Sequence, residues 1–292
     1  MLNGLPGALR LLSKRAMRMQ LGSPDDPEMV RLHVETYEPA QGAESSPTVV
    51  LCHGFGGSAR NFRPQARALG QSVRFVLYDA RGHARSDGPR AQSIERAFSL
   101  GSLVDDLARV VDGAQTSTVV LGGLSMGAAT ALAFALAYPE RVSGLLIASY
   151  PNASVAFRNW ALGFAACIAE RGLDSAGEMY VWGQDSRFDV AAKALIRQGF
   201  LEHSEAALIG LLRDCLANLE PVELMSERLE ALRIPTRVVV GAEDAGSFEP
   251  SKLLSRLIPG AKLSVLAGAG HVVNLERASA FNEELRQLIF QP

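Results

Sequence analysis

Thr118-Val119-Val120-Leu121-Gly122-Gly123-Leu124-Ser125-Met126-Gly127-Ala128-Ala129-Thr130 joins a short apolar run to a Gly-Leu-Ser-Met-Gly turn and then to an alanine-rich segment. The run is β-branched and too short for a helix, so it reads as a buried parallel strand. Residues 128–138 are strong helix formers that stop before Pro139. Ser125 therefore lies on a strand-to-helix turn. Such a turn holds its serine in a strained backbone geometry and projects the hydroxyl above the sheet. The flanking Gly123 and Gly127 let strand and helix approach without a Cβ clash. The Met126 N–H, at a helix N-terminus, points toward any oxyanion formed at Ser125. Alone, glycine-x-serine-x-glycine also fits a tight turn with a capping serine. The strand before it and the helix after it favour a nucleophile.

The pattern repeats on both sides of this stretch. Residues 16–22 and 30–38 read as two antiparallel strands, the second alternating as if one face were wet and carrying His33 as a surface or edge residue. Pro47–Gly54 is a buried strand that runs into the glycine-rich loop Gly54-Phe55-Gly56-Gly57-Ser58, and a helix follows over 59–69. A strand over 72–80 leads to Asp79-Ala80-Arg81-Gly82-His83-Ala84-Arg85-Ser86-Asp87, and Leu103, Leu107, Val110 and Val111 mark a helix over 100–113. Val142–Tyr150 is a further strand, stopped by Pro151. Residues 155–220 then carry three helices (156–171, 189–203 and 204–219) and no convincing strand. Alternation resumes with strands at 235–241 and 262–266, and helices over 250–257 and 277–290.

Strands this apolar, alternating with helices, imply a mostly parallel sheet covered on both sides, counted here as eight strands. The expected organisation is a core of residues 1–152 and 222–292, with residues 153–221 inserted as an all-helical lid, or cap. The lid holds both tryptophans, Trp160 and Trp182. Core filling is the simplest role for each, but a lid interior facing a ligand would also use them. In open sheets of this kind ligands sit beyond the carboxyl ends of the strands. Gly54-Phe55, Ser125, Asp244 and His271 all fall just past such an end.

Bulk properties narrow the function classes. A net charge of −2 gives no reason to expect nucleic acid as a partner. Cys52, Cys167 and Cys215 are odd in number and widely spaced, so they read as reduced buried thiols and not as a disulfide framework or zinc site. No metal or cofactor is implied, because Gly54-x-Gly56-Gly57 lacks the lysine and serine of a phosphate-cradling loop. Arg10, Lys14, Arg15 and Arg18 follow a leucine-rich start, the reverse of a secretory signal. A short amphipathic helix over residues 1–20 is the expectation, with no other membrane contact, and the expected location is cytoplasmic.

Serine is a weak nucleophile unless a base, itself oriented by a third group, takes its proton. The chain order Ser125, Asp244, His271 is that of strand-turn-helix serine hydrolases. With His53-Gly54, Asp79-x-Arg81-Gly82-His83-x-x-Ser86-Asp87, Gly123-x-Ser125-x-Gly127, Gly241-x-x-Asp244 and Gly270-His271 followed by Glu276 and Phe281-Asn282, the chain resembles the α/β-hydrolase superfamily over nearly its whole length. The resemblance implies a catalytic triad of Ser125 as nucleophile, His271 as general base and Asp244 as its orienting partner, with Glu243 the neighbouring alternative to Asp244. It implies an oxyanion hole from the backbone N–H groups of Phe55 and Met126. It also implies loop-bracing roles for His53, Asp79 and His83, while His203 is expected at the lid surface. Members that open epoxides or dehalogenate through an ester intermediate carry aspartate where this chain has Ser125. The subgroup most resembled contains small esterases, enol-lactonases, cofactor-free haloperoxidases and carbon–carbon bond hydrolases. The expected function is hydrolysis of a carboxylic ester or lactone of a small to medium, largely apolar substrate through an acyl-enzyme. Carbon–carbon hydrolysis of a diketone, with Arg158, Asn159 and Arg197 as lid cations and donors, and a lid-gated receptor or acyltransferase are the alternatives.

Overall fold

A computed structural model describes residues 16–21, 30–39, 46–88, 97–184 and 190–291. Its strands are β1 (Ala16–Leu21), β2 (Leu32–Tyr37), β3 (Thr48–Cys52), β4 (Arg74–Tyr78), β5 (Val119–Leu124), β6 (Val142–Ala148), β7 (Thr236–Gly241) and β8 (Lys262–Leu266). Its helices are α1 (Arg63–Leu69), α2 (Leu100–Gly113), α3 (Met126–Ala137), α4 (Val155–Gly177), α5 (Val190–Phe200), α6 (Glu205–Gly210), α7 (Ser226–Ala231), α8 (Ala245–Leu257), α9 (Val273–Glu276) and α10 (Ala278–Phe290). Pro139 ends α3 as the sequence suggests, since its missing N–H and its ring forbid another turn. None of the described helices is long and apolar enough to cross a membrane.

The eight strands form one sheet in the order β1-β2-β4-β3-β5-β6-β7-β8. β1 and β2 pair antiparallel, as do β2 and β4, and every other pairing is parallel. Both faces are covered, and the period-2 alternation of β3 divides its side chains between two cores. Val50 and Cys52 join Val76, Tyr78 and Met126 on one face. Val49 and Leu51 join Phe75, Leu77 and Phe281 on the other. Each such fully buried aliphatic side chain contributes about 1.5–3 kcal/mol. From β3 the chain steps to β4 on one side and then crosses to β5 on the other. The crevice between the carboxyl ends of β3 and β5 is thus the topological switch point, where such sheets bind ligands.

The wet face expected on β2 is absent. All six residues of the strand are buried, His33 among them. β2 lies between β1 and β4 and is no edge, and its polar side chains are satisfied inside the protein. The Glu35 carboxylate accepts from Arg63 (2.5 and 3.0 Å), Arg85 (2.6 Å) and the Tyr37 hydroxyl (2.8 Å). Burial pushes its pKa up, but these donors outweigh burial and hold it well below the usual carboxylate range. The N-terminal helix expected over residues 1–20 does not extend into 16–20, which belong to β1. Residues 1–15 lie outside the described residues.

Between β6 and β7 the described residues up to Asn218 are helical turns without a strand. The helix expected to end at Arg171 does turn there, at Gly172 (φ 76°), before a second helical stretch reaches Gly177. The single helix expected over 204–219 is instead α6, a π-turn (Leu211–Cys215) and a 3-10 turn (Leu216–Asn218). Propensity gives no warning of the change in pitch, because packing sets it: Leu208, Leu211, Leu212 and Cys215 are all buried.

Candidate active site

Ser125 occupies the turn between β5 and α3 with φ 55° and ψ −115°, a left-handed conformation costly for any residue with a Cβ. Two hydrogen bonds over-determine it: its N–H donates to Ala148 O (2.9 Å), and its carbonyl accepts from Ala129 N–H (3.0 Å). The flanking glycines are obligatory. A Cβ on Gly123 would stand 2.1 Å from Gly127 O, and one on Gly127 would stand 2.1 Å from Cys52 O. β3, β5 and α3 thus meet backbone to backbone beneath the serine. The Met126 N–H opens α3 and, like all first-turn donors, has no partner within the helix.

Asp244 and His271 follow β7 and β8, next along the same rim. His271 Nδ1 and Asp244 Oδ2 are 2.9 Å apart, with Asp244 7% and His271 47% exposed. Burial raises the Asp244 pKa, but the His271 hydrogen bond and charge, with the Ser247 and Ser149 hydroxyls, outweigh burial and lower it on balance. The Ser149 hydroxyl is near enough to act on that charge yet makes no hydrogen bond of its own. Glu243, the neighbouring alternative, is exposed, and its backbone N–H donates to Ala269 O (2.9 Å). Glu276 holds the His271 loop by accepting from Gly270 N–H (2.8 Å) and Val272 N–H (2.9 Å). No hydrogen bond joins Ser125 to His271 among the described residues. Such contacts often tighten only when substrate is bound.

The loop after β3 lies beside the serine: a Cβ on Gly54 would be 3.4 Å from Ser125 Cβ. Three buried histidines surround this loop. His53 Nδ1–H donates to Gly54 O (2.8 Å), a tautomer assigned because its Nε2 accepts from Ala80 N–H (2.9 Å). Gly56 N–H donates to His83 Nε2 (3.1 Å), and Gly57 N–H to Gly54 O (3.0 Å). The Phe55 N–H between them is left unused by these bonds. Asp79 anchors the following turn by accepting from Ala59 N–H (2.7 Å) and Arg85 (2.8 Å). His203 is not at the surface as expected. It is 7% exposed and bonds to Gly56 O and Ala84 N–H.

Burial holds all three rings neutral. It lowers the His53 pKa to about 4, and lowers those of His83 and His203. The sign of the stability effect follows. Between the unfolded value near 6.5 and the folded value near 4, the unfolded chain takes up a proton that the folded chain refuses, so stability is lost as the pH drops through that window. His53 alone is expected to cost about 2 kcal/mol between pH 7 and pH 5. Glu35, Asp79 and Asp244 have lowered pKa values and begin to act only below that range. Urea unfolding at the two pH values checks this, and equal free energies would contradict it.

The tryptophans differ. Trp182, 7% exposed, lies against Gly177 and edge-on to Phe200, inside the helical segment itself. Trp160, 38% exposed, stacks on Phe157 at 5.3 Å and meets Phe164 edge-on. Phe164 in turn meets Phe55 at 5.8 Å, so an aromatic run connects Trp160 to the loop after β3. Arg158 and Asn159 are exposed, and Arg197 is paired with Asp174 on the surface. Burial pushes the Cys52 thiol up to about 12, so it is no nucleophile. Among the described residues no group of three or more His, Cys, Asp or Glu side chains is placed to hold a metal ion.

Comparison with known proteins adds to this geometry. The sequence profile of the alpha/beta hydrolase family matches residues 49–284. A candidate carbamate hydrolase, RutD, of Azorhizobium caulinodans is 30% identical over 254 residues, covering 81% of this chain and 89% of its own. A candidate 2-succinyl-6-hydroxy-2,4-cyclohexadiene-1-carboxylate synthase of Bacillus subtilis is 25% identical over 259 residues, covering 85% and 92%. Among solved structures, a thermophilic esterase from Thermogutta terrifontis superposes with a TM-score of 0.77 at 25% identity, covering 93% of this chain and 97% of that one.

Proposed function

The chain belongs to the alpha/beta hydrolase family, and from that premise we propose that it is a serine hydrolase that cleaves a carboxylic ester or lactone of a small to medium, largely apolar substrate through an acyl-enzyme. The observation that carries this reading is the 2.9 Å pair of His271 Nδ1 and Asp244 Oδ2 on the rim that also bears Ser125 in its strained turn. Asp244 fixes the proton on His271 Nδ1, which leaves Nε2 unprotonated and basic. As Ser125 Oγ bonds to the substrate carbonyl carbon, Nε2 takes its proton. The carbonyl oxygen becomes an oxyanion held by the Phe55 and Met126 N–H groups, each worth about 3–4 kcal/mol in comparable sites. Collapse re-forms the carbonyl, breaks the ester C–O bond and passes the proton from Nε2 to the leaving alkoxide. Water, deprotonated by the same nitrogen, then releases the acid and frees Ser125.

Residues 153–221 would act as the lid over this rim, with residues 1–152 and 222–292 as the hydrolase core. Trp160, joined through Phe164 to Phe55, would line an apolar acyl pocket. A cytoplasmic location fits the three reduced cysteines. The carbon–carbon alternative needs free donors near the substrate, and Arg197 is already committed to Asp174. A panel of short p-nitrophenyl esters, aliphatic lactones, alkyl carbamates and a vinylogous diketone tests the reading. An ester or lactone should be turned over with kcat/KM of about 10⁴ M⁻¹ s⁻¹ or more. Turnover of the diketone alone would overturn it.

A further inference from the structure

The loop that carries Phe55 is held one peptide plane at a time, and each plane has its own histidine. The plane between Gly54 and Phe55 is fixed through Gly54 O, which accepts from His53 Nδ1–H. In a trans peptide the N–H points opposite to the carbonyl, so this bond also aims the Phe55 N–H away from His53. The plane between Phe55 and Gly56 is fixed through Gly56 N–H, which donates to His83 Nε2. The plane between Gly56 and Gly57 is fixed through Gly56 O, 2.9 Å from His203 Nε2. Two of these rings come from the hydrolase core. His203 comes from the helical segment between β6 and β7.

The His203 tautomer follows from its second partner. Ala84 N–H donates to Nδ1 at 2.8 Å, so Nδ1 carries a lone pair and Nε2 carries the proton that reaches Gly56 O. Both partner residues have left-handed backbones: Gly56 at φ 68°, which glycine adopts freely, and Ala84 at φ 43°, which costs a residue with a Cβ and needs outside support to persist. The helical segment also rests flush on both loops. A Cβ on Gly56 would stand 2.7 Å from the Phe200 ring, and one on Gly82 would stand 2.3 Å from Ala207 Cβ. The ion pair of Arg60 and Glu202 (2.7 Å) spans the same junction.

We propose that His203 is a positioning residue: it couples the seating of the helical segment to the oxyanion loop, so that the rate of the chemical step, more than substrate affinity, depends on the segment being docked on residues 54–57. The inference rests on the serine-hydrolase reading above. A loop one peptide out of line would still bind an ester carbonyl, but would present Phe55 N–H poorly to the tetrahedral oxyanion, which exists only in the transition state.

The test compares wild type, His203→Ala, His203→Gln and His203→Asn on one short p-nitrophenyl ester, with Ser125→Ala as the blank. The glutamine amide nitrogen reaches the place of Nε2 and keeps the bond to Gly56 O. The asparagine amide oxygen reaches the place of Nδ1 and keeps only the bond from Ala84. The expected result is a fall in kcat of about 10- to 100-fold for His203→Ala and His203→Asn, with KM within about threefold and the melting temperature read in parallel. His203→Gln should recover kcat to within about threefold of wild type. Unchanged kcat in His203→Ala, a rise in KM alone, or equal recovery by asparagine and glutamine would overturn the proposal. If His203→Ala does not fold, the glutamine-against-asparagine comparison decides. Wild type no faster than Ser125→Ala would instead sink the hydrolase reading, and the inference with it.

Discussion

Replacing Ser125 with alanine is expected to lower kcat on a short p-nitrophenyl ester by about 10⁵-fold or more. The loss is large because the nucleophile, the base and its orienting carboxylate act as a unit, and the remaining groups can only help water attack directly. The fold should survive. Ser125 is half-buried, its backbone bonds to Ala148 and Ala129 do not involve the hydroxyl, and alanine keeps the same Cβ. A second substitution separates strain from chemistry. Ser125→Gly removes the Cβ from a residue at φ 55° and is expected to raise stability by about 1 kcal/mol while remaining inactive. A melting temperature higher in Ser125→Gly than in Ser125→Ala would show that this turn trades stability for the placement of its hydroxyl. Rates within tenfold of wild type in either variant would mean that Ser125 is not the nucleophile.

Asp244→Asn is expected to lower kcat by about 10⁴-fold with KM within a few-fold. The amide is nearly isosteric, so the 2.9 Å contact with His271 Nδ1 can persist. Its NH₂ would donate to Nδ1, however, which moves the imidazole proton to Nε2, where it blocks acceptance from Ser125. The charge that stabilises the imidazolium is lost as well. Glu243→Gln is the matched control. Glu243 is exposed, and the carboxylate 2.9 Å from His271 Nδ1 belongs to Asp244, so the Glu243→Gln rate should stay within about twofold. Steady-state kinetics on the two variants decides between the neighbouring carboxylates. A large loss in Glu243→Gln with little in Asp244→Asn would reverse the assignment.

The parts of this protein that could be read from its sequence are those written in local pattern. β5 and α3 follow from a β-branched run, two glycines and an alanine-rich stretch, all within 20 residues of each other. Ser125, Asp244 and His271 could be placed on one rim because each sits where an apolar strand gives way to a loop, and a parallel sheet brings such ends together. What local pattern cannot carry is pairing at a distance. β2 alternates apolar and polar residues as a half-exposed strand would, yet Glu35 is met by Arg63 and Arg85, 28 and 50 residues away. His203 reads from sequence as a surface histidine because its partners, Ala84 and Gly56, lie 119 and 147 residues earlier. The sequence gives no ground for choosing between Trp160 and Trp182. Only the packing of Trp182 onto Gly177 and Phe200 separates them.

The central claim is that Ser125 is an activated nucleophile. Labelling the wild-type protein with a fluorophosphonate at neutral pH, and mapping the adduct by mass spectrometry beside Ser125→Ala, tests it most directly. The account predicts one adduct per chain on Ser125, absent from the alanine variant and formed far more slowly in Asp244→Asn. Folded protein that takes no label, or that takes it at another residue, would contradict the account.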